Sequence, residues 1–399
     1  MIRFWALRLV IVLSALTCLA LCLDQKRGAS PASPISAIEL RKLGFVPITP
    51  QDEKTLNRTL LSTNNPKVIF AADTKTRLNF ISQRTLVISY TRTSEGHLSL
   101  GMPQYLYAIF IDTADKKVRH LERWPMQVRR NRDGLDSEGR IFPLGGGNFV
   151  VLADNRLRLY SSSFELLHEI VLQNDGNDLW AAQVPPGGKD LFLRHDHLGT
   201  IEYLWLSSDA LATIREEHVP IQTASEVRGP AIVNRNVVYV PQSADRLDAI
   251  FPSDASSVKC EVKACWHSTD IIPLSEDRMA LAGGSGLAVY SQTGLCFWSL
   301  EVSGSRAPAA VAKASLDGMR FAVEMSGSGA NFAGTKLGDN ATFLVFDLDK
   351  PEPLLIAKRP LTPDYTFALD PHGSQLAVLT GTTLSLYAFY GPQVEIHDK

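Results

Sequence analysis

The chain has 399 residues, of which 45% are hydrophobic and 21% charged, with 40 Lys and Arg set against 42 Asp and Glu. That length leaves room for roughly two or three ordinary domains or for one large all-β body, and there are enough apolar residues for a sizeable core. A formal net charge of −2 excludes the strongly basic balance by which a protein holds nucleic acid or an anionic membrane as its general partner.

At the N-terminus, Arg3 and Arg8 precede an uncharged apolar run from Leu9 to Leu23, the n-region and h-region of a secretion signal. The run falls short of the roughly 20 residues that cross a bilayer. Small residues at Ala20 and Cys22 suit a peptidase site, so residues 1–22 read as a cleaved signal peptide. An uncleaved anchor is the alternative, reached by counting back through Phe4 with Arg8 snorkelling. Leu19-Ala20-Leu21-Cys22 also resembles a bacterial lipobox, which would place a lipid on Cys22. The expectation is an exported protein, secreted or periplasmic, that meets the membrane only through its N-terminal segment if that segment is uncleaved or lipidated.

Residues 23–65 read as a spacer with several prolines and at most one short helix, over Ile35 to Leu43. Removing the signal leaves Cys260, Cys265 and Cys296, an odd number. Cys260 and Cys265 are close enough to close a small disulfide loop in an oxidising compartment, and free buried thiols are the other reading.

From residue 66 to the C-terminus, short apolar runs bounded by Gly, Pro, Asp, Asn and Ser recur without a long helical period, which predicts an all-β fold. Leu86-Val87-Ile88, Phe149-Val150-Val151, Leu191-Phe192-Leu193, Val237-Val238-Tyr239, Met279-Ala280-Leu281, Phe321-Ala322-Val323 and Leu376-Ala377-Val378 act as a ruler. Their middle positions step by 192−150 = 42, 238−192 = 46, 280−238 = 42 and 322−280 = 42, with longer steps at the two ends. Such a period marks one propeller blade. Ile141-Phe142-Pro143-Leu144 with Tyr160-Ser161 matches Ile271-Ile272-Pro273-Leu274 with Tyr290-Ser291, displaced by 130 residues, or three periods. Ruler runs apolar on successive residues imply sheets covered on both faces, as blades clamped between neighbours are. The predicted fold is a seven-bladed β-propeller of four-stranded antiparallel blades over residues 66–399. Its last blade is closed by Val68 to Ala71 or, alternatively, by Val394 to Ile396.

Ser315-Leu316-Asp317-Gly318 leading into Met319 to Val323, and Asp370-Pro371-His372-Gly373 leading into Ser374 to Val378, look like the polar, Gly-ended turn before the second strand of a blade. With the period, these segments make the chain resemble propellers of the WD40 and YVTN type over about 320 residues. The resemblance implies that the loop between second and third strands and the loop between blades open on one rim. The extra length in Thr91 to Gln104, Val128 to Arg140 and Ser326 to Asn340 would then lie on that rim, which is the expected ligand face.

Two polar groups there carry possible chemistry. Arg129, Arg130 and Arg132, with Asp133 beside them, offer guanidinium forks for a carboxylate, phosphate or acidic polysaccharide. His195 and His197 share one face if their strand continues, as metal ligands must. Each group also has a plain reading, a solvated loop whose charges pair among themselves and a satisfied surface turn. The glycine runs Gly145-Gly146-Gly147 and Gly283-Gly284-Ser285-Gly286 lead into no helix and read as tight turns. No hydrolase, metallopeptidase or nucleotide signature occurs in the chain. The expected function is a binding or scaffold module for a protein or glycan, without a cofactor. The alternative is a propeller enzyme of the lactonase or quinoprotein kind, with a divalent metal or cofactor near His195 and His197.

Overall fold

Each ruler run forms the second strand of a four-stranded antiparallel sheet in the computed structural model. The model describes residues 31–48, 68–70, 76–93, 103–127, 129–131, 134–136, 139–172, 180–197, 200–220, 232–234, 237–243, 246–251, 256–261, 270–275, 277–283, 286–291, 293–304, 309–326, 329–338, 340–360 and 365–389. Five blades with described side chains span residues 77–127, 140–171, 181–220, 270–301 and 309–360, each a consecutive antiparallel meander. A sixth, the closing blade, joins Tyr365–Leu369, Gln375–Thr380 and Thr383–Ala388 to Ser36–Glu39. A further four-stranded sheet, built from Ile232–Asn234, Val237–Ser243, Arg246–Phe251 and Ser256–Glu261, is described by its backbone pairing alone. The chain is thus an all-β propeller of four-stranded antiparallel blades.

The ruler strands are apolar on both faces because each blade is covered on both. Phe321, Val323 and Met325 pack with Leu287 and Val289 of the preceding blade. Ala322, between them in the same strand, packs with Phe367, Val378 and Tyr387 of the closing blade. Alternate residues of a strand point to opposite faces, so an unbroken apolar run serves two interfaces at once. The innermost strand of the 309–360 blade, Ala309–Ala314, is mostly alanine, as the crowded axis requires.

Closure departs from expectation. Ser36–Glu39 pairs antiparallel with the strand Thr383–Ala388, Ala37 lying opposite Ser385 and Glu39 opposite Thr383. Val68–Phe70 instead pairs in parallel with Val46–Ile48, outside the blades. The predicted helix over Ile35 to Leu43 is therefore this closing strand followed by a single 3-10 turn, Leu40–Leu43, ended by Gly44 in the left-handed region. Packing decided the matter. Ile38, Leu40 and Phe45 are buried with Leu78, Phe80 and Leu86 of the 77–127 blade, across the seam where the ring meets itself. The chain read as a spacer thus contributes its own strand to the propeller. No helix of the described residues is long and apolar enough to cross a membrane.

Candidate functional site

Alternating strand direction puts the connection between second and third strands, and that between blades, at one end of the propeller. The connections between first and second and between third and fourth strands lie at the other. The long-loop end carries two small hairpins. Arg129–Asn131 pairs with Gly134–Asp136, and Asn331–Phe332 with Thr335–Lys336. Strands Thr85–Thr93, Pro103–Asp112 and Lys117–Gln127 of the first blade run 9, 10 and 11 residues, longer than any strand of the other blades, so the extra sequence extends a hairpin at that end.

The first hairpin sets Arg129 opposite Asp136 in register and Arg130 opposite Leu135. Arg132 and Asp133, at its tip, lie outside the described residues, as do the side chains of Arg129 and Arg130. His195 is buried within the 181–220 blade, its ring stacked on Trp180 at 4.6 Å and its Nδ1 3.5 Å from Glu202 Oε2. His197 belongs to the same strand, but its side chain lies outside the described residues. Among the described residues no group of three or more His, Cys, Asp or Glu side chains is placed to hold a metal ion. Cys260 is a strand residue opposite Leu247, Cys265 lies outside the described residues, and Cys296 is an exposed free thiol. Gly145–Gly147 form a one-turn 3-10 element.

At the opposite end the short turns before the second strands meet one another. The Gly145 amide donates to Gly188 O at 2.9 Å, Gly187 to Leu316 O at 2.6 Å, Asp317 to Pro371 O at 3.0 Å and Ser275 to Gly318 O at 3.1 Å. The bond from Gly187 to Leu316 joins two blades that are not consecutive in the chain, so these turns bar the axis at this end. Beside them lies a cavity of about 870 Å³, bounded by turns of the 77–127, 140–171, 181–220, 309–360 and closing blades.

Its polar wall comes chiefly from the Asp112 to Arg119 turn. Arg84 Nη2 donates to both Asp112 oxygens at 3.3 Å and reaches Asp115 Oδ2 at 3.5 Å. Asp112 Oδ1 also accepts from the amides of Ala114 and Asp115, each at 3.0 Å. Burial alone would raise the Asp112 pKa, but the Asp115 and Ala114 amides together with Arg84 outweigh it and hold its carboxyl below the ordinary value. Arg119 Nη1 donates to Thr85 Oγ1 at 3.1 Å. His372 Nδ1 stands 3.4 Å from Asp317 Oδ2. None of these residues was singled out as a site by sequence reasoning. The cavity is assembled by turns hundreds of residues apart, each locally an ordinary polar turn.

No protein-family model matches the chain, and no curated protein matches it in sequence. Among solved structures it is similar to Chaetomium thermophilum Raptor, at 13% identity and a TM-score of 0.51, covering 80% of this chain and 28% of that one. It is also similar to the β-propeller domain of Myceliophteria thermophila Cps50 (Swd1), with 8% identity, TM-score 0.48 and coverage of 79% and 97%. A third similarity is to the C-terminal WD40 domain of Sif2, with 10% identity, TM-score 0.45 and coverage of 80% and 95%. At such identities the Raptor likeness shows a shared fold and nothing about activity.

Proposed function

We propose that this is an exported binding or scaffold module whose ring has seven blades and whose long-loop rim takes a protein or glycan partner. The observation that carries the reading is the projection of three separate insertions from one end: the lengthened strands of the 77–127 blade and the hairpins at Arg129–Asp136 and Asn331–Lys336. Loops on a rigid β scaffold are where recognition residues accumulate. The four-stranded sheet over 232–261 supports the seven-blade count, since its ruler strand keeps the period between its neighbours. Arg129, Arg130 and Arg132 would supply donors for an acidic group on the partner, and the reading requires no metal or cofactor. The imidazole of His195 is engaged with Trp180 and Glu202, which favours a packing role over catalysis.

Site-specific photocrosslinking in the native host tests this. A crosslinker at Asn131 or Lys336 should trap a discrete partner, whereas one at the exposed outer-strand residue Ser299 should not. Adducts from Ser299 alone, or from no rim position, would overturn the rim assignment.

A further inference from the structure

The cavity at the short-turn end has a charge pattern that the long-loop reading does not use. Each of its carboxylates is engaged. Asp112 and Asp115 share Arg84, and Asp112 holds two backbone amides as well. Asp317 accepts from Ser315 Oγ at 2.6 Å and the Met319 amide at 3.0 Å, with His372 beside it. Of the three Lys and Arg side chains that line it, Arg84 is matched to these carboxylates and the other two are not. Among the described residues Lys117 has no ion pair, and Arg119 donates to the neutral Thr85 hydroxyl. Both are exposed at the cavity wall.

The lining also includes the half-buried apolar residues Val118, Leu316 and Pro371. About 870 Å³ is far more than one carboxylate fills and suits several side chains. The floor is fixed by the backbone bonds between turns, so little ordering is needed on binding.

We propose that this cavity is a second docking site, which receives an acidic segment of a partner protein carrying apolar side chains between its carboxylates. Lys117 and Arg119 meet the acidic groups, and Val118, Leu316 and Pro371 meet the apolar ones. The site is independent of whatever the long-loop rim binds, so a failed crosslink at that rim would leave it standing.

Fluorescence anisotropy with the full chain and a labelled Glu-Leu-Glu-Leu-Glu-Leu peptide tests the site, with a Lys-Leu peptide of the same length for comparison. The acidic peptide should bind at least tenfold more tightly than the basic one, and more weakly as salt rises. A Lys117→Glu, Arg119→Glu double variant should lose at least tenfold in affinity with an unchanged melting temperature, because both side chains are exposed. Lys42→Glu, on the 3-10 turn at the opposite end, should bind as the parent does. Absence of binding, equal binding of the two peptides, or an unaffected double variant would each overturn the proposal. Displacement by free citrate as effective as by unlabelled peptide would overturn recognition of a protein segment.

Discussion

Glu324 shows how a single side chain makes the stability of this ring depend on pH. It is wholly buried in the seam between the 309–360 and closing blades, near the Tyr365 and Ser326 hydroxyls, with neither carboxylate oxygen in good hydrogen-bonding geometry. Burial pushes its carboxyl up to about 7, and the Tyr365 and Ser326 hydroxyls offset only part of the rise. An acid whose pKa is raised on folding adds no penalty below its unfolded value of about 4.3, and its cost grows from there up to the folded value and levels off above it. Between about pH 4 and pH 7 the unfolded chain has released this proton while the buried site still holds it, and above pH 7, where both are ionised, the accumulated cost is roughly 2–4 kcal/mol. Glu324→Gln should therefore gain stability relative to the parent at pH 8 by about that amount compared with pH 4. Denaturant melts at the two pH values check this, and a gain independent of pH would refute it. Lys313 complements this picture. Its ammonium donates to Phe367 O at 2.7 Å, and burial followed by the nearby Arg77 lowers its pKa to about 8.

The turns between first and second strands are the elements on which the short-turn end depends. Gly318 sits at φ +71°, and a Cβ there would lie 2.6 Å from the Ser275 backbone nitrogen and 2.8 Å from Pro186 Cβ. Only glycine tolerates both that backbone region and that approach. Gly318→Ala should cost roughly 1–3 kcal/mol from backbone strain alone, readable as a lower denaturant midpoint. It should also weaken binding in the adjoining cavity, whose floor the turn supports. The 130-residue repetition is equally visible in element geometry. Tyr160 pairs with Phe149 as Tyr290 pairs with Met279, and Ser161 and Ser291 each accept the amides two and four residues on. Those turns were legible because a hydroxyl at one fixed position organises the next four residues locally.

At the scale of the molecule, stability rests on joining the two ends of the chain in one sheet. Ile38 and Phe45 are buried at the seam with residues of the 77–127 and closing blades. Phe45→Ala should cost about 3–5 kcal/mol and Ile38→Ala about 2–5 kcal/mol, as truncation in a packed core does. Removing residues 31–45 should lower the melting temperature far more than removing 68–70, which pair outside the blades. Equal effects of the two deletions would contradict closure by Ser36–Glu39.

The blade rhythm was readable from residues alone because every second strand must be apolar on both faces, and that demand leaves an unbroken run in any order of blades. The Gly-ended turns at Ser315–Gly318 and Asp370–Gly373 were readable because their conformation is set within four residues. Which segment closes the ring was not. Ser36-Ala37-Ile38-Glu39 has no strand signature of its own and becomes a strand only because Thr383–Ala388 presents an open edge and the neighbouring blade an apolar seam. The cavity was hidden likewise. Its Lys117, Arg119, Leu316 and Pro371 come from turns far apart in the chain, and only the ring brings them to one cavity. Local patterns encode what a residue requires of its neighbours in sequence, whereas a strand edge or a pocket is defined by partners that tertiary folding alone makes adjacent.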